Sequence, residues 1–205
     1  MLAVINIDQR MSRGAPANRA DEWSTELNVS YSDELILPFT PTIGDEIQGL
    51  MAAPPAIVEI VLRGVREKGW WLGIGIGEVE TPLQRTAARS RGPAFYAARE
   101  AVEAAKRSHH GFVVRTEDER STSDIQTVLE LLAFLIRRRG QDPKRWRAVE
   151  LAQTGRSTVE IGKAFGITQQ AASKRLLNAG FYEEVQGRRL AERLLREVMG
   201  LGNAR

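Results

Sequence analysis

The chain contains no cysteine, which excludes disulfide bonds, zinc ribbons, iron–sulfur clusters and thiol nucleophiles. It also lacks a long apolar run, because the longest, residues 128–136, is too short to cross a bilayer and contains Glu130. The N-terminus, MLAVINIDQR, has no basic segment followed by an apolar one, so we expect no signal peptide. These absences predict a cytoplasmic protein with no membrane partner.

The net charge of the whole chain is also small, at +3, but the charged residues are unevenly distributed. Residues 141–205 hold 12 Lys and Arg against 7 Asp and Glu, a net charge of +5, which leaves −2 for residues 1–140. A basic module joined to an acidic one is typical of a nucleic-acid-binding domain with a non-binding companion. A chance fluctuation of the solvated surface is an equal alternative on charge alone.

The first 115 residues alternate strand-like and helix-like patterns in the order βαββαβαβ. This order predicts an α+β sandwich with its helices on one face of the sheet. Pro38 and Pro41 indicate an edge strand or a bulge, since proline cannot donate to a ladder. The glycines of residues 73–77 indicate a strand that a helix approaches closely.

Residues 116–124 are polar and charged, which predicts a linker. Ser123 is expected to cap a helix that ends at Arg139. We therefore assign residues 117–140 to a linker and connecting helix, and residues 141–205 to an all-α domain. An apolar stripe near residues 186–199 either caps that domain or forms a homodimer interface.

Residues 142–179 follow the pattern of a helix-turn-helix module. Gly155 ends a first helix, and Ser157 or Thr158 caps a second, with Glu160 placed to complete the cap. Gly166 marks a turn with positive φ, which only glycine adopts cheaply. The small and apolar residues that hold the helices together are Ile161, Gly162, Phe165 and Ile167.

Thr168 caps the third helix of this module. The N-terminal side chains of a recognition helix lie near the base edges of the major groove. Glutamine can pair with adenine through two hydrogen bonds, and Arg175 and Lys163 would contact the phosphate backbone. The residues expected near the bases are Gln169, Gln170, Ser173 and Lys174.

This segment resembles the helix-turn-helix of bacterial regulators and sigma-factor-like domains, which implies double-stranded DNA as a partner. Its third helix begins QQAASKR, which is polar and basic where a core-facing helix would be apolar. That composition favours DNA over the alternative, a three-helix interaction module that touches no nucleic acid.

Four patterns in the first half of the chain stand in one order: DQRMSR at residues 8–13, GDEIQGL at 44–50, GIGIGEV at 73–79 and GPAFYAAR at 92–99. Together they resemble the SatD family over most of the chain, and more distantly the palm-like domain of class III nucleotidyl cyclases and diguanylate cyclases. The resemblance implies a ferredoxin-like or palm-like α+β domain in residues 1–116, followed by the helix-turn-helix domain.

Asp8 follows the first strand and Asp45 lies at a neighbouring hairpin, so we expect both carboxylates at one edge of the sheet. Mg²⁺ is bound by one or two carboxylates together with phosphate oxygens and water. With Arg13, Glu46 and Arg99, they form a candidate nucleotide site. Ordinary strand-end and turn carboxylates are the alternative.

The pattern departs from that of catalytic cyclases at several positions, one of which lies on the helix that begins near Gly92. Arg99 matches the arginine that they offer to the transition state, but Phe95 stands where they have an asparagine. We therefore expect a degenerate site that binds a nucleotide effector or a metal. The leading hypothesis is a DNA-binding transcriptional regulator with a sensing domain. The alternatives are a Mg²⁺- or Mn²⁺-dependent nucleotidyl cyclase and a protein-interaction adaptor.

Overall fold

The computed structural model describes residues 1–10, 19–42 and 45–202. The five strands of these ranges are β1 (Leu2–Gln9), β2 (Leu35–Pro41), β3 (Glu46–Met51), β4 (Trp70–Gly77) and β5 (Phe112–Arg115). The eight α-helices are α1 (Arg19–Ser30), α2 (Pro54–Glu67), α3 (Pro93–Ala105), α4 (Glu119–Arg139), α5 (Pro143–Gln153), α6 (Thr158–Phe165), α7 (Gln169–Asn178) and α8 (Phe181–Met199). The predicted α+β class and the order βαββαβαβ are confirmed.

The strands form one mixed sheet in the order β2-β3-β1-β4-β5. β1 is antiparallel to both of its neighbours, β3 and β4, whereas β5 is parallel to β4. β2 is an edge strand, and its register against β3 shifts twice. The edge position and irregular pairing that Pro38 and Pro41 predict are therefore both observed, because a missing N–H does least harm at an edge.

Helices cover both faces of the sheet, so the expectation that they lie on one face is wrong. Ile5 and Ile7 of β1 pack on the side of α1 and α2, whereas Val4 packs on the side of α3. The reason for the second layer is the glycine pattern of β4. A Cβ added at Gly73 would lie 2.2 Å from the backbone nitrogen of Val102 in α3, so the predicted close approach of a helix is observed.

Helix α4 begins at Glu119, so the prediction of a linker over residues 116–124 and of a helix capped at Ser123 is wrong. Asp118 is the N-cap, and its carboxylate accepts a 2.7 Å hydrogen bond from the backbone N–H of Ser121. The polar first turn fastens the helix to the end of β5, where the Thr116 N–H donates to the Thr122 hydroxyl at 3.0 Å. These residues are polar because they bind a strand end.

Helix α8 packs against α2 and α4. Its Ala191, Leu195 and Met199 are buried in the core that lies on the α1 and α2 side of the sheet. The apolar stripe near the C-terminus is thus used inside the chain, next to the sheet domain; whether a homodimer also forms stays a prediction. No helix within the described ranges is long and apolar enough to cross a bilayer.

Helices α5, α6 and α7 share a small core of their own. The local signals of this unit are confirmed: Ser157 and Glu160 form a reciprocal cap at the start of α6, and Gly166 has φ of 62°. A Cβ at Gly162 would lie 2.9 Å from the carbonyl oxygen of Ile167, which explains the need for a small residue. The buried residues of this core are Ala148, Val149, Ile161, Ala172, Leu176 and Ala179.

Candidate functional site

Helix α7 presents its polar side to solvent. Gln170, Ser173 and Lys174 are exposed. The opposite side carries Ala172 and Leu176, which are 0% and 2% exposed in the core shared with α5 and α6. The polar surface therefore lies on the outside of the molecule and is not covered by the sheet domain.

The first turn of α7 is held by two side-chain hydrogen bonds. The Thr168 hydroxyl accepts from the backbone N–H of Ala171 at 3.2 Å, as expected of an N-cap. The amide nitrogen of Gln169 donates to the hydroxyl of Thr158 in α6, also at 3.2 Å. Gln170 has no hydrogen-bond partner among the described residues, so its amide can pair with an outside group without breaking an internal bond.

The two cations predicted to contact a phosphate backbone differ in exposure. Lys163 is exposed on α6. Arg175 is partly buried, and its guanidinium carbon lies 4.6 Å from the centre of the Phe165 ring. Its Nη1 is buried without a partner in the described part of the chain. The contact of Arg175 with Phe165 therefore holds its guanidinium group in place and also packs α7 against α6.

Sequence reasoning missed two arginines that lie beside α7. Arg145 of α5 lines a cavity together with Lys174, Arg175 and other residues of α7. Arg138, near the end of α4, lines a neighbouring cavity that also includes Arg145. No local pattern marks these residues as neighbours of α7, because they come from two other helices.

The three-helix unit is joined to the sheet domain through Trp146. Its indole N–H donates to the carbonyl oxygen of Gly140 at 2.8 Å. The guanidinium carbons of Arg66 in α2 and Arg139 in α4 lie 3.9 Å and 4.5 Å from the centre of a Trp146 ring. Cations over an aromatic face are attracted by its quadrupole. The direction of α7 relative to the sheet is thus fixed by specific contacts.

A second group of predicted residues meets at one end of the sheet. Asp8 on β1 lies directly opposite Glu46 on β3. Asp45 precedes Glu46 at the hairpin, and its Oδ2 is buried without a hydrogen-bond partner among the described residues. The structure therefore places Asp8 and Glu46 side by side at this end of the sheet, with Asp45 next to Glu46 in the chain; convergence of the Asp45 carboxylate with the other two stays a prediction. Arg13 lies outside the described residues.

Lys106, which the sequence analysis did not single out, lies at this end of the sheet. Its ammonium nitrogen lies 2.8 Å from Oδ2 of Asp8 and 2.6 Å from Oε1 of Glu103. Hydrogen bonds to these carboxylates raise the pKa of Lys106. Asp8 is thus neutralised by a cation of its own chain, and a metal ion would have to displace that cation. The described residues hold no group of three or more His, Asp or Glu side chains arranged for a metal.

Glu46 belongs to a polar network that reaches into the sheet. Asn6 donates from Nδ2 to Oε1 of Glu46 at 3.0 Å, and Gln48 donates from Nε2 to Oδ1 of Asn6 at 2.5 Å. Burial, followed by the nearby Asp8 carboxylate, raises the pKa of Glu46, whereas Arg99 and Lys106 oppose the rise. The alternation of β1 puts Asn6 and Asp8 on one face, a signal that could have predicted this network.

Phe95 of α3 lies in the hydrophobic core, at 4% exposure. It packs in one cluster with Val4, Leu50 and Ala98. Phe95, which the sequence resemblance matches to an asparagine of the cyclases, is thus an aromatic ring that packs on the sheet. Arg99 acts on the Glu46 carboxylate by its charge.

Comparison with known proteins gives one family. The model of the SatD family matches residues 2–139, from β1 to the end of α4, so that α5–α8 lie beyond the matched range. No curated protein and no solved structure matches the chain. All four ordered patterns of the sequence lie within the matched range. The chain therefore belongs to the SatD family.

Proposed function

We propose that this protein binds double-stranded DNA and regulates transcription, with α6 and α7 as a helix-turn-helix and α7 as its recognition helix. The observation that carries the proposal is the exposed polar and basic side of α7. Gln170 and Lys174 lie one turn apart on that side, so both can face the floor of a major groove. A good bidentate contact to a base contributes about 1–3 kcal/mol of discrimination.

The composition of the α7 surface supports DNA more than a protein partner. Gln169, Gln170, Ser173 and Lys174 supply hydrogen-bond donors, whereas the centre of a protein interface is typically aromatic and depleted in lysine. Leu177 is 58% exposed on the next turn. Its methyl groups suit contact with the methyl group of thymine, a recognised element of base readout.

The test is a selection of duplexes from a random DNA library by the full-length chain at low salt. We expect enrichment of a short motif that includes adenine, because glutamine pairs with the N6 and N7 positions of that base. Retention should fall steeply with added salt, since phosphate contacts release counterions. Failure to retain or enrich any duplex would refute DNA binding and leave the adaptor hypothesis.

For the sheet domain we propose a ferredoxin-like, palm-like fold that senses a nucleotide or a metal ion. The support is the pairing of Asp8 with Glu46 at one end of the sheet, together with the buried Oδ2 of the adjacent Asp45, which has no hydrogen-bond partner in the described part of the chain. Lys106 and Arg99 supply positive charge beside these carboxylates, suited to phosphate oxygens. The buried Phe95 favours sensing over cyclase chemistry, because no polar group stands at that position.

A further inference from the structure

We propose that Arg138 and Arg145 form a second DNA-contacting surface that binds a sugar–phosphate strand beside α7. This inference rests on the proposed DNA binding by α7 and extends it to residues outside the helix-turn-helix. Arg138 belongs to α4, the last helix of the SatD-matched range. The family domain would therefore hold the DNA directly as well as carry the three-helix unit.

The two arginines line adjoining cavities along one side of α7. The first cavity, of about 260 Å³, lies between the start of α5 and α7; its lining residues are Asp142, Arg145, Ala171, Lys174, Arg175 and Asn178. The second cavity, of about 420 Å³, continues toward the end of α4 and includes Arg138, Arg145, Leu177 and Asn178. Because Arg145 and Asn178 belong to both, the cavities form one groove.

The charge of this groove is positive after its internal ion pairs are considered. Arg139 also lines it but is fully buried and paired with Glu184. Arg145 is 40% exposed, and its Nε lies 3.4 Å from an oxygen of Asp142, a weak surface pair. Arg138 is exposed and has no ion pair within the described ranges. Arg138, Arg145, Lys174 and Arg175 thus outnumber the two carboxylates of the groove, Asp142 and Glu183.

A DNA backbone is the partner that this position and charge fit. When a helix lies in the major groove, the two phosphate strands run along its sides, with one negative charge per about 1.7 Å of duplex. The N–H of Lys144 already donates to the Asp142 side chain at 2.9 Å, so the start of α5 is capped internally. The arginine side chains, rather than the helix terminus, are the donors of the proposed surface.

The backbone at Arg138 is held next to α7 by contacts that the neighbouring residues make. Next to it, Arg139 donates from Nε to the carbonyl oxygen of Ala179, at the end of α7, over 3.1 Å. A hydrogen bond from Trp146 to Gly140 ties the end of α4 to α5. The backbones of both arginines are thus held in the same frame as α7.

The experiment compares the full-length chain with Arg138→Ala/Arg145→Ala, using the duplex enriched in the selection and a scrambled duplex over roughly 50 to 200 mM salt. Loss of two phosphate contacts should make the slope of log K against log salt shallower by roughly 1.8. Affinity for the enriched and the scrambled duplex should fall by the same factor, and this loss should be about tenfold larger at 50 mM than at 200 mM salt. Arg138→Lys/Arg145→Lys should recover most of the slope, because a point charge suffices for this term.

Arg189→Ala/Arg193→Ala is the matched control, since it removes two exposed arginines from α8 outside this groove. The inference is wrong if the Arg138/Arg145 variant keeps the slope and affinity of this control. It is also wrong if the variant loses affinity for the enriched duplex alone, because that result would assign base contacts. No binding by the unaltered protein would refute the proposed function itself, whereas normal binding by the variant refutes only the second surface.

Discussion

The guanidinium group of Arg139 in α4 forms a buried ion pair with the carboxylate of Glu184 in α8, and the two side chains are 0% and 1% exposed. Glu184 also accepts from Arg188 at 2.8 Å, so the charges form a short chain between α4 and α8. The same guanidinium binds the carbonyl oxygen of Ala179. One buried cation therefore connects the sheet domain, the end of α7 and the C-terminal helix.

Removal of this cation is predicted to destabilise the whole chain. Arg139→Met should lower the free energy of unfolding by about 3 kcal/mol, since breaking a buried pair leaves a buried carboxylate with less compensation. Arg193→Met on α8, which disrupts an exposed pair with Glu197, should cost less than about 1 kcal/mol. Urea unfolding of both variants measures the difference. Equal losses would show that the pair does not hold the domains together.

The fit of α3 on β4 gives a second prediction. A Cβ at Gly75 would lie 2.2 Å from the carbonyl oxygen of Ala94, whereas at Gly77 the nearest atom, the Ala94 nitrogen, is 3.3 Å away. Gly75→Ala should therefore cost about 3 kcal/mol or more, at the upper end of overpacking effects. Gly77→Ala is the control with a smaller expected loss. Thermal or urea unfolding that ranks the two variants in the opposite order would contradict this packing.

The raised pKa of Glu46 makes stability depend on pH. Because burial and Asp8 favour the protonated carboxyl in the folded state, the contribution of Glu46 is fully present below its unfolded pKa. It is lost as the pH rises through the higher folded pKa. Glu46→Gln keeps a carbonyl acceptor for Asn6, so it should be more stable than the unaltered protein at neutral pH. The free energy of unfolding, measured for both proteins from acidic to neutral pH, should show this advantage of the variant shrinking on acidification. An advantage that grows on acidification would contradict a raised pKa of Glu46.

The carboxylates at this end of the sheet lead us to expect that the protein binds a nucleotide but does not catalyse a reaction on it. We expect titration calorimetry with a nucleoside triphosphate and Mg²⁺ to detect binding that Asp45→Ala abolishes, because the buried Asp45 oxygen has no hydrogen-bond partner within the described ranges and can accept a new ligand. Glu100→Ala, on the exposed surface of α3, is the control. Release of pyrophosphate by the unaltered protein with Mn²⁺ would instead support the cyclase alternative, and no binding would remove the sensing role.

Local signals in the sequence predict the features that depend on neighbouring residues. The caps at Ser157 and Thr168 and the positive φ of Gly166 follow from side chains within a few positions, and the structure shows each one. The glycines of β4 predict a closely packed helix, which Gly73 confirms. These predictions hold because the chemistry that determines them is contained in a short segment.

Features set by distant parts of the chain could not be predicted in the same way. Nothing near Asp8 indicates Lys106 as its partner, because the two meet only after β1 and α3 pack together. The polar sequence of the first turn of α4 predicts a linker, because the contact that this turn makes with the end of β5 through Thr122 is a tertiary one. Arg138 and Arg145 likewise become neighbours of α7 only when α4, α5 and α7 are assembled.

The most direct test of the account is the affinity of Gln170→Ala/Lys174→Ala for the duplex enriched in the selection. We expect a loss of about tenfold or more, concentrated on that duplex, because the change removes a base contact of about 1–3 kcal/mol together with a cation. The control Gln186→Ala/Arg193→Ala, with an exposed glutamine and an exposed cation on α8, should bind as the unaltered protein does. If the α7 variant still prefers the enriched duplex to a scrambled one with undiminished affinity, α7 is not the recognition helix.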